Sequence, residues 1–355
     1  MTVEVGPSQY EALDWSTVEH NWAAWHLHRR GTDGWHEIVD ALVSQGYSII
    51  SIGEKQGSQP WPWTDWDDVE DDEYDHESRD PEEEGVIGLP GLEWNDSEHV
   101  VWIGSTLYQD EIDEPIYRFR DAVREVRTRE DHHFPRSRNG VTFLAHIGRY
   151  SDDPDEWERW EAVHNLWSPE RHGFLGVAFG GRNQTVVDVW DRLLEEIVPN
   201  HPVYGFYEMD NSDSEVGEDF DVRLTTVLTE SSLDPTDQTD GRERVIDRLR
   251  SGQFLAHFRG EWDPDEEDRP RLPRVTEIAV SDDRRTISIE AEAYDEITWI
   301  SRGEEVETGS SIDVDEEMVP YVRAELSGVD HDDTVTFVQP FYVRTETTVA
   351  SFGGE

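Results

Sequence analysis

Hydrophobic and polar residues follow two different periods along this chain, and the change of period divides it. A short apolar run around Trp25 to His28 precedes a turn at Gly31 to Gly34. Apolar positions at helical spacing follow (Ile38, Ala41, Leu42, Val43), then a second apolar run, Tyr47 to Ile52. Strand, helix and strand within about 30 residues predict a βαβ unit. Further β-like runs occur at Val86 to Trp94, Val100 to Ile103, Val141 to His146, Phe174 to Phe179 and Val203 to Met209. Helix-like stretches such as Glu114 to Arg129 and Val186 to Ile197 separate them. This alternation predicts an α/β fold with a parallel sheet or barrel. Residues 56–84 interrupt it with Pro, Trp and a dense acidic run from Asp65 to Glu84, and read as an acidic, Trp-rich loop.

The period changes to two after an acidic, Pro-bearing linker at 263–274. Thr286, Ser288 and Glu290 alternate with Ile287, Ile289 and Ala291, and turn residues recur near Asp282, Gly303, Gly309 and Gly328. This predicts a small all-β sandwich over 275–345, preceded by an α/β domain at 1–262 and followed by a tail at 346–355. No repeat of fixed period and no Gly-rich phosphate loop is present.

Composition narrows the function classes. The 355 residues carry 82 Asp plus Glu against 30 Lys plus Arg, a formal net charge of −52. Coating of duplex nucleic acid or of an anionic membrane is therefore not expected, because both need basic patches. Lys55 is the single lysine, so the other 29 basic residues are Arg. An acidic, lysine-poor surface suits high salt, where a screening length of roughly 3 Å at molar ionic strength removes most self-repulsion. The absence of Cys excludes thiolate chemistry and sulfur-ligated metal, leaving His and carboxylates as strong ligands. Fifteen Trp, 12 Phe and 11 Tyr supply large apolar areas for a core. Without an apolar run of 18 residues or a basic, apolar start, the chain is expected to be soluble and cytoplasmic.

Candidate chemistry sits at the ends of the β-like runs. His26-Leu27-His28 lies inside the first, where residues two apart project from one face and can grip one ion. Glu93 lies near the end of another run, His99 opens the next, His146 closes a third and Asp210 follows a fourth. The ends of successive parallel strands converge on one mouth.

Six blocks appear in order: WHLHRRGTDG (Trp25 to Gly34), IISIGEK (Ile49 to Lys55), GLPGLEW (Gly88 to Trp94), EHVVWIG (Glu98 to Gly104), FLAHIGRY (Phe143 to Tyr150) and YGFYEMDNS (Tyr204 to Ser212). In these blocks the chain resembles the PHP (polymerase and histidinol phosphatase) family of metal-dependent phosphoesterases, over roughly residues 18–260. The resemblance implies a distorted seven-stranded (β/α) barrel holding up to three Mn, Fe, Zn or Mg ions. By position, it implies one ion held by His26, His28, Glu93 and Asp210 and a second by Glu93, His99 and His146, with Glu93 bridging. Arg149 matches a family arginine that could contact a phosphate oxygen, or it forms a surface salt bridge. Mixed imidazole and carboxylate ligands suit Mn, Fe or Zn, and a bridged pair about 3.5–4 Å apart supports phosphate hydrolysis.

The chain departs from the family pattern at the third ion. Thr-Asp-His is replaced by Gly53-Glu54-Lys55 and Asp-x-His by Asp210-Asn211-Ser212, so two histidines are lost and Asp33 has no imidazole partner. Two divalent ions are therefore expected. Lys55 occupies one lost ligand position: either its ammonium replaces the third cation, pairing with Asp33 and facing a substrate phosphate, or it is a leftover surface residue. The expected activity is hydrolysis of a small phosphorylated molecule, nucleotide or short oligonucleotide. The alternative is a binding or regulatory protein with an eroded site, its sandwich recognising a glycan or a protein. A deaminase is disfavoured, since Lys55 falls too early for a fifth-strand lysine. His132 and His133, like His36, His76, His164, His172, His201, His257 and His331, read as non-ligands. Trp61, Trp63 and Trp66 either pin the acidic loop or form a stacking surface.

Overall fold

The computed structural model of the protein describes residues 3–27, 35–55, 80–95, 99–104, 140–145, 174–179, 184–197, 199, 203–209, 223–260, 270–331 and 333–345. The first βαβ unit is built as its periodicities require. Strand β2 (Glu19–Leu27) follows β1 (Val3–Val5), helix α1 (Trp35–Ser44) crosses over, and β3 (Ile49–Lys55) returns parallel to β2. α1 buries Ile38, Val39 and Leu42 and leaves Glu37 and Asp40 exposed. It ends where Gly46 adopts φ 94°, a conformation that other residues rarely tolerate.

Helix α2 (Pro81–Glu84) is a single turn at the end of the acidic segment. Asp80 caps it by accepting from Glu82 N at 2.9 Å, and Pro81 opens it. Strands β4 (Ile87–Asn95), β5 (His99–Ile103), β6 (Val141–Leu144), β7 (Phe174–Phe179) and β8 (Tyr204–Tyr207) then continue the sheet. Helix α3 (Gln184–Arg192) runs on into a π turn at Leu193–Ile197. β9 (Arg223–Thr229), helix α4 (Gln238–Arg250) and β10 (Phe254–Phe258) complete the N-terminal part.

α4 packs directly on the start of β4. Its Gly241 admits no side chain, because an added Cβ would lie 2.3 Å from Ile87 Cδ1. Gln238 Nε2 donates to Val86 O at 2.7 Å, and Arg242 Nε donates to Gly88 O at 2.6 Å, so polar groups of α4 satisfy the incoming backbone. One core beneath holds Trp25, Ile87, Val101, Phe143 and Phe206, and α1 covers a second with Ala24, Leu27, Ile50 and Met209.

The C-terminal strands are β11 (Arg274–Val280), β12 (Thr286–Glu292), β13 (Tyr294–Ser301), β14 (Glu304–Thr308), β15 (Ser311–Asp313), β16 (Tyr321–Gly328) and β17 (Val335–Thr345). β11-β12-β15 form a three-stranded sheet. Its Val275, Ile278, Ile287, Ile289 and Ile312 share a core with Trp299, Val322 and Phe341 of the opposing strands. Those opposing strands continue the N-terminal sheet. One hydrogen-bonded path runs β14-β13-β16-β17-β10-β9-β2-β3-β4-β5-β6-β7-β8.

This is a mixed α/β architecture, mostly sheet with few helices, and the expected seven-stranded (β/α) barrel is not what the described residues form. Only β2-β3-β4 and β6-β7-β8 are parallel, whereas β4-β5-β6 are antiparallel. Three residues, 96–98, separate β4 from β5, too few for the crossover that a parallel pair needs. The strand path also does not close. Met209 N, just past β8, donates to Trp25 O of β2 at 3.2 Å, but among the described residues no strand ladder joins β8 to β2.

Side chains satisfy the outer edge of β8 instead. The buried Gln339 amide accepts from Gly205 N at 2.8 Å and donates to Gly205 O at 2.8 Å, as a neighbouring strand would. Thr225 Oγ1 donates to Tyr207 O at 3.2 Å. The acidic loop before residue 80, the helical stretch Glu114 to Arg129 and the tail 346–355 lie outside the described residues.

Candidate functional site

His26 reaches the site through a break in its own strand. Ala23 and Trp25 pack into one core and Ala24 into the other, so simple alternation would send Leu27 with Trp25. Leu27 instead joins Ala24, and the β2–β3 register shifts between Ala24 and Leu27. His26 is the extra residue of this bulge and has φ 61°, a left-handed conformation costing roughly 1–2 kcal/mol for an L-residue. Strain of this kind concentrates at functional sites.

Three strand ends bring partners to the imidazole. Its Nδ1 lies 2.7 Å from Glu208 Oε2, just past β8, and its Nε2 lies 3.1 Å from Glu93 Oε1 near the end of β4. His99, the first residue of β5, places its own Nδ1 in close contact with the same Glu93 oxygen. His26, Glu93 and Glu208 are buried, while the His99 side chain keeps 20% of its surface exposed and marks the open side.

Backbone contacts hold these ends in place. Met209 N to Trp25 O sets Glu208 beside His26, and Ala145 N donates to His99 O at 2.9 Å, joining the ends of β5 and β6. Lys55 closes β3 as the register partner of Glu93.

Electrostatics follow from this burial. Burial opposes the imidazolium of His26, but Glu208, by charge and hydrogen bond, and then Glu93 outweigh it and raise the pKa to about 10. The raised pKa has the sign that suits a cation at this position, with Glu208 and Glu93 facing the ring from either side.

Of the expected ligands, the structure brings together His26, Glu93 and His99. His28, Asp33, His146, Arg149 and Asp210, like Trp61, Trp63 and Trp66, lie outside the described residues. Ala145 and Met209, which immediately precede His146 and Asp210, both make backbone bonds to residues of the site region. Glu208 was not among the residues singled out in the sequence. The signal for it was its spacing, since Glu208 and Asp210 lie two apart and share a face in extended chain. His257 has a core role: its Nδ1 lies 2.8 Å from Thr336 Oγ1. Burial, with His20 and Arg259 nearby, lowers its pKa to about 3.

Imidazole and carboxylate are the donor types that suit Mn, Fe or Zn, and His26, His99 and Glu93 supply donors of those types around one carboxylate oxygen. Among the described residues no group of three or more His, Cys, Asp or Glu side chains is arranged to hold an ion by itself. The other positions of the implied ligand sets, His28, His146 and Asp210, fall outside those residues. Also among the described residues, no helix is long and apolar enough to cross a membrane. No protein-family model matches the chain, and no curated protein sequence matches it.

Proposed function

We propose that the chain is a metal-dependent phosphoesterase that hydrolyses a phosphomonoester or phosphodiester of a small molecule or nucleotide. The observation that carries this reading is the single buried Glu93 oxygen reached by imidazoles from two different strands. In this reading His26, His28, Glu93 and Asp210 hold one ion, and Glu93, His99 and His146 hold a second. A pair of ions held there would supply the Lewis acidity that lowers the pKa of a water and offsets the charge of a departing oxygen.

The protein's own residues do the rest. Glu93 is fixed at the register position opposite Lys55, and the bulge at His26 aims the imidazole inward. In this reading substrate enters at the partly exposed edge by His99. Lys55 and Arg149 supply cationic contacts for phosphate oxygens, and Asp33 orients Lys55. With a net charge of −52, an anionic substrate approaches only when salt screens the surface, so the activity belongs to a high-salt medium.

The test is turnover of an aryl phosphate and a bis-aryl phosphodiester in molar KCl with added Mn. Wild type is expected to require the metal, and Glu93→Gln and His99→Ala to lose at least about 100-fold in kcat/KM, roughly 2.7 kcal/mol of transition-state stabilisation. Absence of metal-dependent turnover on both substrates refutes the proposal. Tight metal binding without turnover would instead favour a binding or regulatory role.

A further inference from the structure

We infer that Glu208 is a positioning residue, whose carboxylate holds the Nδ1–H of His26 so that Nε2 is committed to the bound cation beside Glu93. This rests on the metal-dependent reading above and adds to it a residue that reading does not use.

The geometry carries the inference. The two ring nitrogens of His26 face two different carboxylates, Nδ1 to Glu208 at 2.7 Å and Nε2 to Glu93 at 3.1 Å. Among the described residues Glu93 receives a second imidazole, that of His99, which puts the ion on the Nε2 side of His26 and Glu208 behind the ring. A neutral histidine has one donor and one acceptor nitrogen, and a carboxylate accepting at Nδ1 leaves the Nε2 lone pair for a metal. Carboxylates placed behind metal-binding histidines set ring orientation and ligand basicity in this way.

The surroundings make the orientation rigid. Glu208 is fully buried, and a buried carboxylate needs a partner of this kind. Its backbone is held between the Met209 N to Trp25 O bond and the Thr225 Oγ1 to Tyr207 O bond. The partner ring sits on a bulge whose φ of 61° is retained at a cost, and the Glu208 contact fixes the direction that the bulge gives it.

The test is calorimetric titration of the full chain with Mn and with Zn in molar KCl, for wild type, Glu208→Ala and Glu208→Gln, with circular dichroism to confirm folding. Alanine is expected to weaken the ion at His26 by about 10–100-fold with the number of bound ions unchanged. Glutamine, whose carbonyl oxygen accepts the same N–H, is expected to recover most of that loss. Long-range 1H–15N spectra of Zn-loaded wild type, which need no variant, are expected to show the His26 proton on Nδ1 and the metal on Nε2. Alanine binding as tightly as wild type, or the proton found on Nε2, overturns the inference. Glutamine failing as badly as alanine, with one ion fewer per chain, also overturns it, by making Glu208 a ligand. Wild type that binds neither metal refutes the phosphoesterase reading itself, a result distinct from any change among the variants.

Discussion

Gln339→Leu isolates the side chain that takes the place of a strand at the outer edge of β8. Gln339 is fully buried, and its amide makes two 2.8 Å bonds to Gly205, one to the N–H and one to the carbonyl. Leucine is close in volume but answers neither group, so both main-chain atoms lose their partner where water does not reach. Each buried polar group left unsatisfied costs about 1–3 kcal/mol, about 2–6 kcal/mol for the pair. Removing the amide's own desolvation returns about 1–2 kcal/mol, leaving a net loss of about 1–4 kcal/mol. That is a large share of the roughly 5–15 kcal/mol typical of folded proteins. Urea unfolding in molar KCl, extrapolated to zero denaturant, measures it. Gln339→Glu keeps an acceptor for Gly205 N–H but has no donor for the carbonyl when ionised, and is expected to be destabilised as well. Because Gly205 lies three residues before Glu208, the leucine variant is also expected to bind Mn more weakly. Stability of Gln339→Leu within about 0.5 kcal/mol of wild type, the usual range for inconsequential substitutions, would refute the claim that this amide closes the edge.

Further predictions concern other buried polar groups. Asp191 on α3 accepts from Arg323 Nε and Nη2, each at 2.7 Å, and from Tyr321 OH at 2.8 Å, clamping α3 to β16. Arg323→Met is expected to cost about 3–5 kcal/mol by urea unfolding, and Asp191→Leu added to it to restore much of that loss; a double variant as unstable as Arg323→Met alone would contradict the account. His20 and His257 have pKa values lowered to about 4 and about 3, in both cases chiefly by burial. Above pH 6.5 they are neutral folded or unfolded and do not affect stability. Below it the unfolded chain takes up their protons first, so stability falls from pH 6.5 toward pH 3–4 by at most about 1.4 kcal/mol per pH unit for each histidine. His257→Gln, which retains a partner for Thr336, is expected to flatten that slope, and an unchanged slope would remove His257 as its source.

The first βαβ unit was legible because Ile38, Ala41, Leu42 and Val43 fall at helical spacing between two apolar runs, and the C-terminal strands because Ile287 and Ile289 alternate with polar neighbours. The barrel expectation failed at particular places. It took β4 and β5 as members of a parallel set although only residues 96–98 lie between them, and it passed over β9 and β10. Those two strands join the N-terminal strands to β17. Arg223–Thr229 and Phe254–Phe258 are short runs that periodicity alone does not assign. Within the site, Glu93, His26 and His99 were readable as strand-end ligand types. The bulge at His26 was not, because it depends on which core receives Leu27, a tertiary fact. Glu208 was not legible, because its role depends on the tertiary contact that sets it 2.7 Å from His26 Nδ1.

The most direct measurement is anomalous diffraction at the zinc edge from a crystal grown in high salt and soaked in Zn. The account predicts a strong peak at bonding distance, about 2.0–2.2 Å, from His26 Nε2 and a Glu93 carboxylate oxygen, with His99 Nδ1 bound to that ion or to a second one sharing Glu93. A map with no peak between His26 and Glu93, the two side chains still in direct contact, would contradict it.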